Sequence, residues 1–288
     1  MASGRDIRRR IRSISSTAQI TRAMQMVAAS KMRKAQQAAI DVRPFARLVY
    51  RIQRAVTTRL TDFTHPLTEV REVRRRAIIL VGSDKGLCGA LNSNLFRVAG
   101  RYEPHSTLFI TAGRKAAQFV ARTRRQLVAE FPYGDTPRFP ESRAIATMAR
   151  DLFLKHEVDA VELVATRFVN TLVQQPFVLD LLPIGDIKGL EIPGMPRADA
   201  AAGEATDFLV EPSVTDVVEF LLGHYLNIIV HVALLNAKAS EQSARMVSMK
   251  NATDNAAEMI RDLTLDYNKL RQGRITQELL EIAGGQAG

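Results

Sequence analysis

The stretch ITRAMQMVAASKMRKAQ, residues Ile20 to Gln36, predicts a helix and raises the question of what that helix contacts. It contains three Met and four basic residues, and it has no Gly, Pro, aromatic residue or acid. Ala, Met, Lys, Arg and Gln are among the strongest helix formers. Such small and flexible side chains could fill a packed core, contact a partner whose conformation changes, or bind an acidic surface. The rest of the chain must decide between these three roles.

The apolar residues around this stretch repeat about every 3.5 residues, a period typical of a left-handed coiled coil. Alternating steps of four and three, starting at Ile7, reach apolar residues at every position except Thr21 and Gln25. The positions are Ile7, Ile11, Ile14, Ala18, Thr21, Gln25, Ala28, Met32, Ala35, Ala39, Val42, Ala46 and Val49. The later alanines favour close approach of a partner helix, and Pro44 predicts a local kink.

The C-terminal part of the chain carries the same repeat over a longer distance. From Val214 the steps reach Val218, Leu221, Tyr225, Ile228, Val232, Leu235, Ala239, Gln242, Met246, Met249, Thr253, Ala256, Ile260, Leu263, Tyr267 and Leu270. Ordinary amphipathic helices on a domain are the simpler interpretation, but globular helices average only about 11–12 residues. Two sustained runs therefore favour a long helix pair.

One apolar segment within the C-terminal run, Val217 to Ala237, is long enough to cross ~30 Å of hydrocarbon. It contains Glu219, two His and two Asn. An acid at the centre of a membrane span costs ~2.5–3.5 kcal/mol. The composition therefore favours a helix buried inside a soluble protein.

Between the two terminal runs, predicted strands alternate with predicted helices. The predicted strands lie within residues 75–81, 106–113, 158–170 and 174–184, and the last two are expected to pair as a hairpin. Helices are predicted near residues 90–102, 115–124 and 141–157. This order favours a mostly parallel sheet.

We therefore predict a Rossmann-like α/β central domain inserted between two long terminal helices that form an antiparallel left-handed coiled coil. The expected domains are residues 1–59 (N-terminal coiled-coil helix), 60–76 (linker), 77–213 (α/β domain) and 214–288 (C-terminal helix with a protruding tip). The C-terminal helix, predicted over 214–284, is 16 residues longer than the N-terminal helix predicted over 3–57. That overhang measures roughly 24 Å at ~1.5 Å per residue. Residues 185–204, rich in Gly, Pro, Ala and Asp, predict a mobile loop.

Composition limits the functional classes. The chain has 288 residues, 46% of them hydrophobic, and a net charge of +10. Such a charge implies acidic partners, which are nucleic acid, an anionic membrane or an acidic protein surface. Cys88 is the single cysteine, so an internal disulfide is excluded and a reducing compartment is expected. No apolar run follows Arg5 to Arg12, which predicts that no signal peptide is present.

The loop VGSDKGLCGALN, Val81 to Asn92, is the nearest approach to a ligand site because it follows a strand and opens a helix. The spacing of its glycines fits neither the dinucleotide-binding pattern nor the phosphate loop. A structural turn is therefore favoured, with Ser83 and Asp84 capping backbone amides.

Other candidates for chemistry are weak. His224 and His231 share a helix face but lie seven residues apart, about 10 Å, which is too far for one metal ion. Cys88 has no nearby base, and the carboxylates form no paired motif. We predict no catalytic residue, no cofactor and no metal.

The basic N-terminal stretch carries more information. Residues 5–34 contain nine bases and one acid. A solvated helix face is the usual explanation, and nucleic-acid binding lacks the interleaved aromatic residues that stacking needs. An acidic protein surface remains as the partner.

Three groups of motifs resemble the F-type ATP synthase gamma subunit family. They are RIRSISSTAQITRAMQMVAASKMRKAQ near the N-terminus, SDKGLCGALNSN in the centre, and ASEQSARMVSMKNATDNAAEMI with DLTLDYNKLRQGRITQELLEI near the C-terminus. They occur in the family's order and span nearly the whole chain. The resemblance implies a rotor shaft inside a ring of three alpha and three beta subunits, without catalytic residues of its own, and the expected lack of a targeting segment indicates a bacterial origin.

The resemblance also implies partners and contact residues. The expected partners are the alpha, beta, epsilon and c-ring subunits, with one copy of this chain per assembly, proton coupling, no nucleic acid and no direct membrane insertion. The expected location is the cytoplasmic side of the bacterial plasma membrane. The implied contacts are Met24, Lys31, Arg271, Gln272 and Thr276 with beta-subunit loops, Phe208 and Glu211 with the c ring, and Ile275, Leu279 and Ile282 with the alpha–beta sleeve.

Two alternatives remain at this point. Met24, Met26 and Met32 could also simply fill the seam, which is the line of contact between the two paired helices. A nucleotide- or nucleic-acid-binding α/β protein with a coiled-coil arm would explain the same fold elements, and it predicts that the isolated chain binds ATP, NAD or DNA.

Overall fold

The structure is a computed structural model that describes residues 4–57, 65–184 and 214–285. Within helices, the side chains of residues 43, 45–57, 214–216, 218–219, 278 and 281–285 lie outside the description. The chain divides into two compact units, one of residues 1–28 with 245–288 and one of residues 29–244. Each unit is described by itself.

Two long helices begin and end close to the predicted positions. Helix α1 spans Gly4–Thr57 and helix α5 spans Val214–Gly285. The first helix continues through Pro44, where a kink was predicted. Its length reflects a sequence rich in Ala, Arg, Gln and Met with no internal Gly after its first residue.

Residues 29–244 contain a five-stranded sheet. Its strands are β1 (Arg76–Val81), β2 (Thr107–Ala112), β3 (Gln126–Phe131), β4 (Ala160–Phe168) and β5 (Gln174–Leu182). The spatial order is β3-β2-β1-β4-β5, and every neighbouring pair is parallel except β4 with β5. The predictions of a mostly parallel sheet and of a hairpin between the last two strands are confirmed.

Strand β3 was not predicted from the sequence. It lies at the edge of the sheet, and most of its residues are exposed. An exposed edge strand lacks the continuous apolar run that identifies buried parallel strands. Arg122 to Arg125 precede it, and this charged stretch obscures the weak alternation of QLVAEF.

Three shorter helices connect the strands, close to their predicted positions. They are α2 (Leu91–Ala99), α3 (Arg114–Arg122) and α4 (Phe139–Leu154). A single turn of 3-10 helix, Pro66–Thr68, precedes the sheet.

The sheet buries both of its faces. Ile78 and Leu80 of β1 pack with side chains of α2 and α3 in one apolar cluster. Their neighbour Ile79 points to the other face and joins α4 and the first part of α5 in a larger cluster. This alternation follows from the two-residue period of a strand, and it gives three layers.

The apolar segment of α5 lies in this larger cluster. By length and composition, one helix among the described residues is long and apolar enough to cross a membrane. However, 72% of its most apolar 18-residue segment is buried inside the protein. Leu222, Tyr225, Ile229 and Leu234 are among the buried side chains. The burial agrees with the expectation of a core helix.

The other unit is an antiparallel pair formed by the start of α1 and the C-terminal part of α5. The hydroxyls of Thr21 and Thr253 lie 2.7 Å apart. Farther along, Arg8 donates a hydrogen bond to the Tyr267 hydroxyl and its guanidinium lies 5.2 Å from the ring centroid. Residue numbers fall along one helix as they rise along the other, so the two run in opposite directions.

Burial in this unit follows the predicted repeat. Between residues 256 and 270 the only buried or half-buried side chains are Ala256, Ile260, Leu263, Tyr267 and Leu270. Gly4, the first described residue of α1, lies against the Tyr267 ring. Beyond Leu270 each described side chain is exposed. Among the described residues, pairing therefore ends near Leu270, and α5 continues to Gly285 without a second described helix beside it.

Candidate partner-contact surface

The helix pair of residues 4–28 and 245–285 exposes several large apolar side chains. Ile20, Met26 and Val27 of α1 are 60%, 62% and 54% exposed, and Leu265 of α5 is 60% exposed. Met24, an implied contact, is half-buried. Scattered exposed apolar residues are normal, but a group along one helix indicates an interaction surface.

The unpaired end of α5 carries most of the remaining implied contacts. Arg271, Gln272 and Thr276 are exposed, and the Thr276 hydroxyl donates to the Gln272 carbonyl at 3.0 Å. Ile275 and Leu279 are also exposed, at 47% and 61%. The side chain of Ile282 lies outside the described residues, so its contact remains a prediction. The structure thus brings five implied contacts together on one unpaired helical segment.

A basic groove lies where the two helices of this unit meet. It has a volume of about 540 Å³. Its lining consists of Gly4, Arg5, Arg8, Arg9, Arg12, Tyr267, Leu270, Arg271 and Arg274. Six guanidinium groups line this groove, and the pairing of Arg9 with Asp6 at 2.9 Å offsets only part of their charge, so the groove suits an acidic partner. This juxtaposition across two helices was not predicted, although the antiparallel pairing of the two repeats was the signal that would have revealed it.

Lys31, another implied contact, has a partner within the compact unit of residues 29–244. Its ammonium lies 2.6 Å from a carboxylate oxygen of Asp135. This hydrogen bond from Lys31 holds the pKa of Asp135 below its usual value. Phe208 and Glu211 lie outside the described residues, as does the loop 185–204.

The central loop is a structural turn. Leu87 and Gly89 have φ angles of 62° and 57°, the left-handed region that a tight bend requires. Asp84 accepts a hydrogen bond from the backbone amide of Arg114 at 3.2 Å, as expected of a capping residue. Ser83 was also expected to cap an amide, but its hydroxyl donates instead to the carbonyl of Lys85 at 2.9 Å.

The same loop buries the single cysteine. Cys88 is 2% exposed, and its sulfur accepts a contact from the Asn92 amide at 3.4 Å. Asn92 also donates to the Ser83 hydroxyl at 2.7 Å. These contacts hold the turn closed, and they give Cys88 a packing role.

Of the two histidines, His231 serves packing as well. His231 is buried, its Nδ1 lies 3.1 Å from the Ser142 hydroxyl, and its ring meets Phe139 edge to face. Burial lowers the pKa of His231 below its usual value of 6.5. Among the residues that the structure describes, no group of His, Cys, Asp and Glu could hold a metal ion.

Comparison with known proteins gives this surface its context. The family model for ATP synthase matches residues 3–288. The ATP synthase gamma chain of Opitutus terrae is 45% identical over 296 residues, which cover 99% of this chain and 98% of that protein. The ATP synthase gamma chain of Methylacidiphilum infernorum is 41% identical over 292 residues, with 99% of each chain covered.

Solved structures share the fold. A chain from the cryo-EM structure of the Tetrahymena thermophila mitochondrial ATP synthase central stalk and c-ring has a TM-score of 0.61 and 25% identity, covering 81% of this chain and 99% of that one. A chain of the Euglena gracilis mitochondrial ATP synthase has a TM-score of 0.67 over 98% of this chain and 93% of that one, and its 20% identity supports the fold alone.

Together, the long helices, the unpaired tip and these matches define a subunit of the membrane-associated ATP synthase. The chain belongs to the ATP synthase gamma chain family. It is a rotor component and a non-catalytic subunit of the enzyme, as the sequence predicted.

Proposed function

We propose that this chain is the central shaft that transmits torque between the membrane c ring and the catalytic alpha–beta hexamer, and so couples proton flow to ATP synthesis and hydrolysis. The observation that carries the proposal is the unpaired end of α5, a single helix whose Ile275, Leu279 and Leu280 are exposed. A lone helix with apolar side chains in water needs an enclosing partner. A sleeve of alpha and beta subunits around Ile275, Leu279 and Ile282 would supply it.

The contacts with beta-subunit loops are assigned to Met24, Lys31, Arg271, Gln272 and Thr276. Arg271 also lines the basic groove, so acidic loops that approach the tip meet several guanidinium groups at once. Exposed ion pairs contribute only about 0–1 kcal/mol each, so such contacts guide a turning shaft without locking it. Met24 is unbranched and adaptable, which suits a surface that meets partner conformations in turn.

The remaining assignments concern the other end of the shaft. Phe208 and Glu211 are proposed to contact the c ring, with the epsilon subunit nearby. One copy of the chain serves each assembly, bound peripherally on the cytoplasmic side of a bacterial plasma membrane. The domains proposed are those expected from the sequence, with the two long helices winding as a left-handed coiled coil over residues 1–59 and 214–288.

Coupling would operate by shifts of population. Each orientation of an off-centre shaft makes different contacts with each beta subunit, and a partner can shift a conformational equilibrium only by its difference in affinity for the two states. The seam that pairs the helices makes the shaft stiffer than a single helix.

Co-expression with the alpha, beta and epsilon subunits tests the proposal. Native mass spectrometry should find one copy of this chain with three alpha and three beta subunits. A variant with Leu279→Asp and Leu280→Asp should fold, since both side chains are exposed, but should lose coupled activity. Leu172→Asp, at a leucine that is 77% exposed in the β4–β5 hairpin, is the matched control.

Two results would count against the shaft. One is an isolated chain that binds ATP or DNA tightly and ignores the hexamer, which would favour a nucleotide- or nucleic-acid-binding protein. The other is undiminished ATP turnover after the tip has been crosslinked, through an introduced cysteine, to a single beta subunit.

A further inference from the structure

A run of polar side chains in α5 is buried, within a stretch of the helix that otherwise packs mainly through apolar residues. Lys238, Ser240, Glu241, Gln242 and Ser243 are each at most 3% exposed. Buried polar groups are informative because each costs free energy unless a partner satisfies it. We name residues 238–243 the crevice segment, after the place that it occupies in the fold.

The crevice segment lies at the carboxyl edge of the parallel sheet. The Ser240 hydroxyl donates to the carbonyl of Thr166, near the end of β4, at 3.4 Å. The Ser243 hydroxyl donates to the carbonyl of Thr171, just beyond β4, at 2.8 Å. In open α/β sheets this edge holds the ligand, in the crevice where the strand order reverses. Here the reversal lies between β1 and β4.

Lys238 is the centre of the crevice segment. Its ammonium lies 3.1 Å from Glu241 and 3.8 Å from each of Asp84 and Asp135. It also lies 4.8 Å from the ring centroid of Tyr133. Asp84 follows β1, and both Tyr133 and Asp135 follow β3. A fully buried ammonium is thus surrounded by groups from the loops after two strands and from its own helix.

The network also includes the first long helix. Asp135, which faces Lys238 through one carboxylate oxygen, binds the Lys31 ammonium of α1 through the other at 2.6 Å. One carboxylate on a sheet loop is therefore shared by lysines from both long helices.

We infer that the crevice segment is the positioning element that fixes the long helices to the sheet, with Lys238 occupying the place where related folds hold a ligand. Apolar packing is non-directional and does not set register by itself. Charge-assisted hydrogen bonds have defined geometry and resist sliding and rotation. The inference rests on the proposed shaft, since torque that passes between sheet and helices must then cross this contact.

Two variants test the inference in the assembled ATP synthase. Lys238→Met with Glu241→Gln removes both charges of the closest pair, while Asp135 keeps the Lys31 ammonium and Asp84 stays in partial contact with water. Ser240→Ala with Ser243→Ala removes the two hydrogen bonds to the β4 side and leaves the charges in place. Lys250→Met, at an exposed lysine of the same helix, is the matched control.

The measurement is the ratio of ATP-driven proton uptake to ATP hydrolysis in membrane vesicles. We expect both crevice variants to assemble and hydrolyse ATP, because the helix pair and the tip are unchanged. Proton uptake per ATP should fall in the charge variant, and it should fall by less in the serine variant. Lys250→Met should match the unmodified chain.

A ratio equal to that of the unmodified chain in both assembled variants would overturn the inference and leave the shaft proposal intact. The failure of the shaft proposal looks different, since the unmodified chain would then fail to join the alpha–beta hexamer. If the charge variant did not fold, the serine variant would decide, because it retains each ion pair of Lys238.

Discussion

Residues 228–244 and residues 256–280 belong to one helix and carry one apolar repeat, yet their surroundings differ. Every side chain in the first stretch is buried. In the second stretch a single stripe is buried as far as Leu270, and each described side chain after it is exposed. An apolar repeat therefore identifies the helix face that is buried in both stretches. It does not tell how many other faces of the helix the surrounding protein also buries.

The difference arises from what packs against each stretch. Around the first stretch, strand residues such as Ile79 and Leu163 and the helix α4 contribute to one apolar cluster. The second stretch packs against the start of α1, a single helix, which can cover only one stripe. Where α1 begins at Gly4, even that stripe ends.

The largest expected effect is a loss of packing in the fully buried stretch. Leu234 is 0% exposed, whereas Leu265 of the same helix is 60% exposed. We expect Leu234→Ala to lower the free energy of unfolding by about 2–5 kcal/mol, because the removed side chain leaves a cavity. Leu265→Ala should change it by no more than about 0.5 kcal/mol. Urea denaturation of both variants measures the contrast, and equal losses would mean that the two stretches do not differ as described.

The single stripe of the second stretch is tested by enlarging adjacent alanines. Ala256 is 7% exposed, and Ala257 points to solvent. Ala256→Phe should lower the free energy of unfolding by about 1–3 kcal/mol, because a larger side chain forces the two helices apart. Ala257→Phe, which adds the same volume on the open face, should be nearly neutral. Circular dichroism would follow the thermal unfolding of both variants. An Ala256→Phe variant as stable as the unmodified chain would mean that the seam lies on a different face of α5.

A smaller effect is expected where two threonines, rather than two apolar residues, meet in the seam. Thr21 and Thr253 share a hydrogen bond, and Thr253 also donates to the carbonyl of Met249 at 2.8 Å. Thr21→Val should cost about 1 kcal/mol, since the hydrogen bond between the two hydroxyls is lost although Thr253 keeps its bond to Met249. The double variant with Thr253→Val should recover part of that cost. A double-mutant cycle with no coupling energy would contradict the contact, and Thr17→Val at an exposed threonine is the control.

The smallest expected effect is a pH dependence of the first stretch. Burial lowers the pKa of His231, so the folded state holds this imidazole neutral at pH values where the unfolded chain begins to bind a proton. The contribution of His231 to stability is complete above the usual pKa of 6.5 and is lost as the pH falls from there toward the lowered value. His231→Asn should flatten stability across that window, as measured by urea denaturation at several pH values. An unchanged pH profile would contradict the role of the imidazole.

Much of the fold was predictable because local patterns agree with it. The seam positions from Ile7 to Val42 that the structure describes are all buried or half-buried, as the repeat predicted. Strands β1, β2 and β4 were predictable as apolar runs because the sheet covers both of their faces. Strand β3 was not, since an edge strand takes its identity from a neighbour that is distant in sequence.

The partner-contact surface and the buried contacts of Lys238 were only partly predictable from the sequence. The exposed tip follows from counting residues in two helices, and Arg271, Gln272 and Thr276 followed from a family resemblance. The buried pairing of Lys238 with Asp84 and Asp135 did not, because no local pattern distinguishes a buried lysine from an exposed one. Such a group is stabilised by loops that are more than a hundred residues away in the chain.

The exposed apolar residues of the helix pair bear on the life of the free chain. A copy that has not met its partners presents Met26, Leu265 and Leu280 to water, where chaperones and proteases recognise such surfaces. Its abundance in a cell should then follow that of its partners, because any surplus is removed. The surface that makes the chain useful within an assembly thus also limits how long an orphan copy survives.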